Sequence, residues 1–357
     1  MICHRTIETF VMTTPSSAIR TIKQLMMAEV PRLDFSRFSQ GTKKEKEEFG
    51  EALTKALIEH GFVKLVNHGI ADEAVVNLLE QSRKFFNLPA PALQRIACVP
   101  GPNPQRGWCG QGTELVSKTR KENYAGHDDV TKLMDAREHF DAGPLDDAQF
   151  PNLWPDENDL PGFRETIANH YQICKKVAHQ LMAAVEIGMG LSAGVLVDRC
   201  RQEASEISLN RYPQIATETL AEGHTKRIWP HTDYGVITLL FQDGVGGLEL
   251  EDRTRPGEFL PVTPTAPGGR AEMVVNASDT FERWTNGVVR AGLHRVTLPC
   301  DEKRAVVPER YSCAFFQKAS RETSAGPLPH FVTEDNPARY DEITALQFQQ
   351  RRNRLHY

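Results

Sequence analysis

Basic blocks, membrane-length apolar runs, paired-cysteine motifs and internal repeats are all missing from this 357-residue chain, and each absence excludes something. Lys+Arg of 42 against Asp+Glu of 47 leaves a net charge of -5, with no cationic cluster able to neutralise phosphates. Nucleic acid and anionic membranes are therefore not expected partners. The longest weakly polar segment, 181–197, contains Glu186 and three glycines and is short for a bilayer. Seven cysteines (Cys3, Cys98, Cys109, Cys174, Cys200, Cys300, Cys313) are odd in number, scattered and free of C-x-x-C, which predicts neither a disulfide framework nor a zinc knuckle and reads as a reducing compartment. The opening MICHRTIETFVMTTPSS lacks a signal-peptide core and RRNRLHY matches no sorting tetrapeptide, so a cytoplasmic protein is expected, as a monomer or weak homodimer.

What is present is a hydrophobic content of 40%, ample for a large core. Residues 1–28 read as a polar extension and 29–357 as a single catalytic domain. Apolar residues at three- and four-residue steps predict helices over 45–60, 75–86 and 163–190, with "GFVKLVNHG" and "AREHFDAG" as short strands before the long helix. Beyond Ser205 come short β-type runs, "ISLNRYP", "ITLLFQD", "GLELED", "AEMVVNA", "LHRVTLP" and "YSCAFF", each ended by Gly, Pro or Asp. Many short strands without intervening helices argue for antiparallel sheets closed into a barrel or jelly roll. The expected fold is mainly β: a jelly-roll core over about 204–320, an N-terminal helical layer, and a C-terminal helix in "ALQFQQRRNRLHY" closing the barrel mouth.

Three H-x-D matches compete: His127 with Asp129, His139 with Asp141, and His231 with Asp233. The first lies in "AGHDDVTK", a polar turn, and the second, in a strand with no further ligand cluster nearby, reads as structural. The third heads the apolar run "HTDYGVITLLFQDGVGGLEL", and in a strand residues i and i+2 share one face. A buried carboxylate beside an imidazole needs compensation, and a divalent cation supplies it. His294 in "AGLHRVTLP" is the best third ligand. Two histidines and one carboxylate, with open coordination positions, suit non-haem Fe(II); a zinc site would call for a fourth ligand or H-E-x-x-H. In "ERYSCAFF", Arg310 and Ser312 share a strand face as a guanidinium fork beside a hydroxyl, a receptor for a carboxylate.

The motifs "VPRLDF", "GFVKLVNHGI", "RKFFNLP", "RGWCGQGTE", "REHFDAG", "NLWP", "NRYP", "HTDYGVITLLFQDGVGGLEL", "TNGVVRAGLHRV" and "RYSCAFF" occur in that order from Val30 onward. Together they resemble the isopenicillin-N-synthase-like branch of the Fe(II)/2-oxoglutarate-dependent oxygenases. The resemblance implies a double-stranded β-helix with His231, Asp233 and His294 as iron ligands. It also implies Arg310 and Ser312 at the distal carboxylate of 2-oxoglutarate, and Asn210 and Tyr212 of "NRYP" as helpers there. Ser278 and Ala291 depart from the family pattern near these motifs, which bears on local backbone rather than on the ligands.

The implied reaction couples decarboxylation of 2-oxoglutarate by O2 to removal of hydrogen from a small molecule. The substrate expected from the likeness to fungal oxygenases is an amino acid or amino-acid-derived alkaloid intermediate of specialised metabolism. Hydroxylation, desaturation and ring closure stay open. Arg106 and Trp108 in "QRGWCG" are candidate substrate-binding residues, Arg106 for an anionic group. His68, Gly246 and Gly247 read as structural, the glycines as a tight turn. Cys109 and Cys313 lie near the expected site without an adjacent base. Three alternatives remain: an Fe(II) oxidase of the penicillin-synthase type that does not use 2-oxoglutarate, a catalytically silent jelly roll that binds metal or an organic acid, and metal-assisted hydrolysis on the same barrel.

Overall fold

The computed structural model describes residues 30–116, 133–266, 268–299 and 302–356. The expectations for residues 1–28 and for His127 with Asp129 fall outside them. Helix Lys43–Glu59 starts where Thr42 accepts from the Glu45 amide at 3.4 Å while Glu45 accepts from the Thr42 amide at 2.8 Å. This reciprocal cap satisfies two donors that a helix start otherwise leaves orphaned. Its stripe of Phe49, Leu53 and Leu57 recurs every four residues and is buried, as an amphipathic helix requires. The stripe packs towards Phe163–Gly188, the longest helix. A Cβ at Gly50 would stand 2.5 Å from the carbonyl oxygen of Ala184, so glycine is what lets the two backbones approach.

Eight strands form the larger sheet, in the order Arg32–Asp34, Phe62–Val66, Met273–Ala277, Ile237–Gln242, Arg310–Gln317, Glu206–Tyr212, Glu138–Ala142, Gly107–Cys109. Opposite lies a sheet of Phe259–Pro261, Leu248–Glu251, His294–Val296 and Ile228–His231. Alternation along each strand divides the larger sheet into two faces. Leu209, Leu239, Val275 and Phe315 point outward and join the helices in the main core, whereas Tyr212 and Val274 meet Leu248, Leu250 and Val296 between the sheets. Truncating a core residue such as Leu209 to alanine is expected to cost about 3 kcal/mol.

The jelly-roll core with flanking helices matches the expected architecture, with one extension. Four strands of the larger sheet come from before residue 143, so segments 204–320 do not complete it alone. These four are only three to five residues long, too short for periodicity to reveal their partners. Gly246 and Gly247 take φ of 84° and 88°, the glycine-favouring turn expected. His68 is structural, its Nδ1 accepting from the Ile70 amide at 3.3 Å and its Nε2 donating to the Ala271 carbonyl at 2.9 Å. Ser278, one of the two departures from the family pattern, has φ -120°, an angle open to any residue.

One expectation is overturned. Cys98 and Cys109 form a disulfide, because the 107–109 strand lies beside residues 96–98, with Trp108 N donating to Ile96 O at 2.8 Å and Cys98 N to Trp108 O at 2.7 Å. Linear spacing concealed that adjacency, and the bond removes the basis for reading a reducing compartment from the cysteines. Cys174, Cys200 and Cys313 are free and buried, and burial pushes the Cys313 thiol up, so it is no nucleophile.

Candidate functional site

The strand Ile228–His231 ends at His231, and the chain then crosses to the opposite sheet, which it enters at Ile237. Asp233 sits on that crossing, not on a shared strand face as the H-x-D spacing suggested. His294 starts the neighbouring strand and pairs directly with His231. His231 Nε2 and His294 Nε2 each stand 3.8 Å from Asp233 Oδ1, and one ligand atom from each residue lies within 4.8 Å of the others.

The surroundings fix which atoms face inward. His231 Nδ1 donates to Trp229 O at 2.9 Å and His294 Nδ1 to Gly292 O at 3.1 Å; a carbonyl only accepts, so both rings present a bare Nε2 lone pair. Asp233 Oδ2 accepts from Thr238 Oγ1 at 2.6 Å and Asn276 Nδ2 at 2.8 Å, which leaves Oδ1 for the centre. Burial, then the neighbouring His294, pushes His231 below the usual histidine range. Burial opposes ionisation of Asp233, and the hydrogen bonds from Thr238 and Asn276 work against that penalty, the carboxyl lying below its usual range. Two neutral imidazoles and one carboxylate fit a divalent iron ion, with positions left for other ligands.

On one side of the triad the inward face carries Arg310, Ser312, Asn210 and Tyr212. Register places Arg310 opposite Tyr212 and Ser312 opposite Asn210. Arg310 is fully buried. Its Nη2 donates to Gln242 Oε1 at 2.7 Å and its Nη1 to Ser312 Oγ at 3.3 Å, its guanidinium lies 4.7 Å from the Tyr212 ring centre, and Nε has no partner. Among the described residues no carboxylate pairs with it, and a dry guanidinium without an anion is costly. A dicarboxylate such as 2-oxoglutarate fits this end. Gln242, Thr238 and Asn276 escaped sequence reading, although each is polar at an inward position of an otherwise apolar strand.

The other side is a cavity lined by His231 and Asp233 together with Glu114, Arg137, His139, Asp141, Glu206 and Lys318. His139 and Asp141 therefore face the site, which corrects the expectation of a purely structural pair. Arg106 and Trp108 do not line it. Arg106 is saturated, by Glu206 at 2.9 Å, Asp147 at 3.1 Å and the carbonyls of Gln105 and Phe150, so its charge holds a wall and is not free for a substrate anion. Trp108 pairs with Phe140, whereas Gly107 and Cys109 pair with Asp141 and His139. One-residue alternation thus turns its indole to the outer face, where Nε1 donates to Glu138 at 2.8 Å. Gln349 and Asn353 of the C-terminal helix Ala345–Asn353, and His356 beyond it, also line this cavity.

Residues 30–157 match the model described as the non-haem dioxygenase in morphine synthesis N-terminal region, and 204–319 match that of the 2OG-Fe(II) oxygenase superfamily. The chain is 43% identical to the 2-oxoglutarate-dependent dioxygenase imqE of Aspergillus flavus, covering 93% of this chain and 95% of that protein. It is 40% identical to the proline hydroxylase buaE of Petromyces alliaceus, covering 91% and 98%. Among solved structures, a full-length Neurospora crassa protein in complex with alpha-KG aligns with a TM-score of 0.81 at 29% identity, over 91% of this chain and 96% of that one. No helix among the described residues is long and apolar enough to cross a membrane. Sheet topology, donor set and these likenesses agree: the chain belongs to the 2OG-Fe(II) oxygenase superfamily and is a non-haem dioxygenase that uses Fe(II), 2-oxoglutarate and O2.

Proposed function

We propose that His231, Asp233 and His294 hold the iron, that Arg310 and Ser312 bind the distal carboxylate of 2-oxoglutarate with Asn210 and Tyr212 shaping its seat, and that a small molecule, an amino acid or amino-acid-derived intermediate of specialised metabolism, occupies the cavity lined by Asp141 and Glu206. The observation that carries the assignment is the convergence of two bare Nε2 atoms and Asp233 Oδ1 between a second, roomier cavity and one that ends in a buried arginine with no carboxylate partner among the described residues. The hydroxylation named for the proline-acting relative supports the substrate class. Residues 29–357 act as one catalytic unit in this reading.

Iron held by these residues would, with 2-oxoglutarate and O2, supply the oxidising chemistry. The chain supplies position and exclusion. Trp229 O and Gly292 O orient the imidazoles, while Thr238 and Asn276 hold Asp233 ionised with Oδ1 inward. Arg310 fixes the cosubstrate from the closed end, and Gln349, Asn353 and His356 keep water from the open end. The test is anaerobic addition of Fe(II) and 2-oxoglutarate to purified protein. A weak visible charge-transfer band that Asp233→Ala and His294→Ala abolish is expected, with O2-dependent succinate formation. Retention of the band in both variants would refute the ligand assignment.

A further inference from the structure

The cavity beside the triad is rich in ionised side chains, yet nearly all of them are already matched. Glu114 pairs with Arg137 and, at 2.5 Å, with Nδ1 of His356. Glu206 is held between Lys318 and Arg106. Asp141 is different. Its ion-pairing neighbour is His139, 3.4 Å from Oδ2, and burial together with Arg137 pushes that imidazole down to about 3, so it carries no charge to offer. Ser208, opposite in register, donates to the carboxylate, but Oδ1 is buried and has no hydrogen-bond partner. Among the described residues no lysine or arginine lies within ion-pair distance of it.

A carboxylate kept from water without a cation is unfavourable, and one partner removed from such a site leaves a strong demand for its replacement. Burial, with the nearby Glu206 and Glu114, pushes Asp141 up to about 7 against the Ser208 hydrogen bond and the more distant Arg137, and a cation brought to it would favour its ionised form. We infer that Asp141 anchors a protonated primary or secondary amine of the substrate, so that this enzyme selects ammonium compounds and not molecules held by their anionic groups. The cations lining the cavity argue the same way from the other side. Arg137 and Lys318 are each bound to a glutamate, so a substrate carboxylate would have to break an existing pair, whereas an ammonium meets a vacant acceptor. Asp141 shares the cavity with His231 and Asp233, so an amine held there lies in the same chamber as two members of the triad.

This inference rests on the reading of that cavity as the substrate site. It is tested with full-length enzyme loaded anaerobically with Fe(II) and 2-oxoglutarate, titrated with L-proline and L-pipecolate and with cyclopentanecarboxylate and cyclohexanecarboxylate, which match them in size without the nitrogen. Perturbation of the visible band is one readout; thermal stabilisation of the iron-free protein is the other. The amines are expected to bind at least about 30-fold more tightly than the carbocycles, the size of a charge-assisted contact in a dry site. Asp141→Asn, equal in volume, is expected to shrink that preference to about 3-fold or less. Equal binding of amine and carbocycle, no binding by either amine, or an undiminished preference in Asp141→Asn would overturn the inference. The comparison in unaltered enzyme decides if the variant does not fold. Failure of the band to form before any amine is added would count instead against the metal and cosubstrate assignment, and thermal stabilisation would still decide the role of Asp141.

Discussion

Asn276 and Asp233 are joined across 43 residues by a 2.8 Å hydrogen bond, from an amide on an inner strand of the larger sheet to the carboxylate on the crossing between sheets. The bond occupies Oδ2, and Thr238 shares it. Neither donor needs to touch the imidazoles to decide which oxygen of Asp233 faces the centre. Asn276→Ala is therefore expected to weaken Fe(II) binding by about 10–100-fold with little change in fold, read by anaerobic titration alongside circular dichroism. Unaltered affinity would mean that Asp233 orients itself.

Arg310→Lys keeps the charge but loses the fork that meets Gln242 and Ser312. The KM for 2-oxoglutarate should rise about 10–100-fold. Steady-state succinate formation over a range of 2-oxoglutarate checks it, and a KM within about twofold of the parent's would dissociate Arg310 from the cosubstrate.

Removing residues 345–357 takes away Gln349, Asn353 and His356, which line the cavity proposed for the substrate, and the link from His356 to Tyr234 and Glu114. More 2-oxoglutarate should then be consumed per product formed, because solvent gains access to the cavity beside the triad. The ratio of succinate to product measures this, and an unchanged ratio would show that the cap is dispensable.

Acid sensitivity has an identifiable source in His170. This ring is 3% exposed, its Nε2 has no partner, and burial pushes it down to about 4. The unfolded chain takes up its proton near pH 6.5, well before the native state does. The contribution of a neutral His170 is thus complete above about pH 6.5 and is lost as pH falls towards about 4, about 3 kcal/mol in all. His170→Phe, which keeps the packing against Phe241, should flatten the decline of urea-unfolding free energy between those limits. An equally steep decline in the variant would exonerate this residue.

The residues legible in the sequence share one property: each announces itself by chemical type within a few positions. His231, Asp233 and His294 stand out as metal donors at the edge of apolar runs, and Arg310 with Ser312 as a fork and hydroxyl on one strand face. The long helix and the later strands follow from periodicity, since burial of one face imposes its own repeat on the sequence. Trp108 misleads because its face depends on strand register, which one residue reverses. Arg106 misleads because an arginine's role depends on which carboxylates reach it, and Glu206 is 100 residues away in the chain.

Sequence alone thus pointed to the fold class, to His231, Asp233 and His294 as candidate donors and to Arg310 with Ser312 as a carboxylate receptor, because hydrophobic period and side-chain chemistry are local properties. Tertiary structure alone decided that Cys98 meets Cys109, that Asp233 projects from a crossing between sheets, and that among the described residues Asp141 has no lysine or arginine within ion-pair distance while Glu114 and Glu206 do. Pairing and desolvation are properties of space, fixed by which distant strands come to lie side by side, and no linear spacing encodes them.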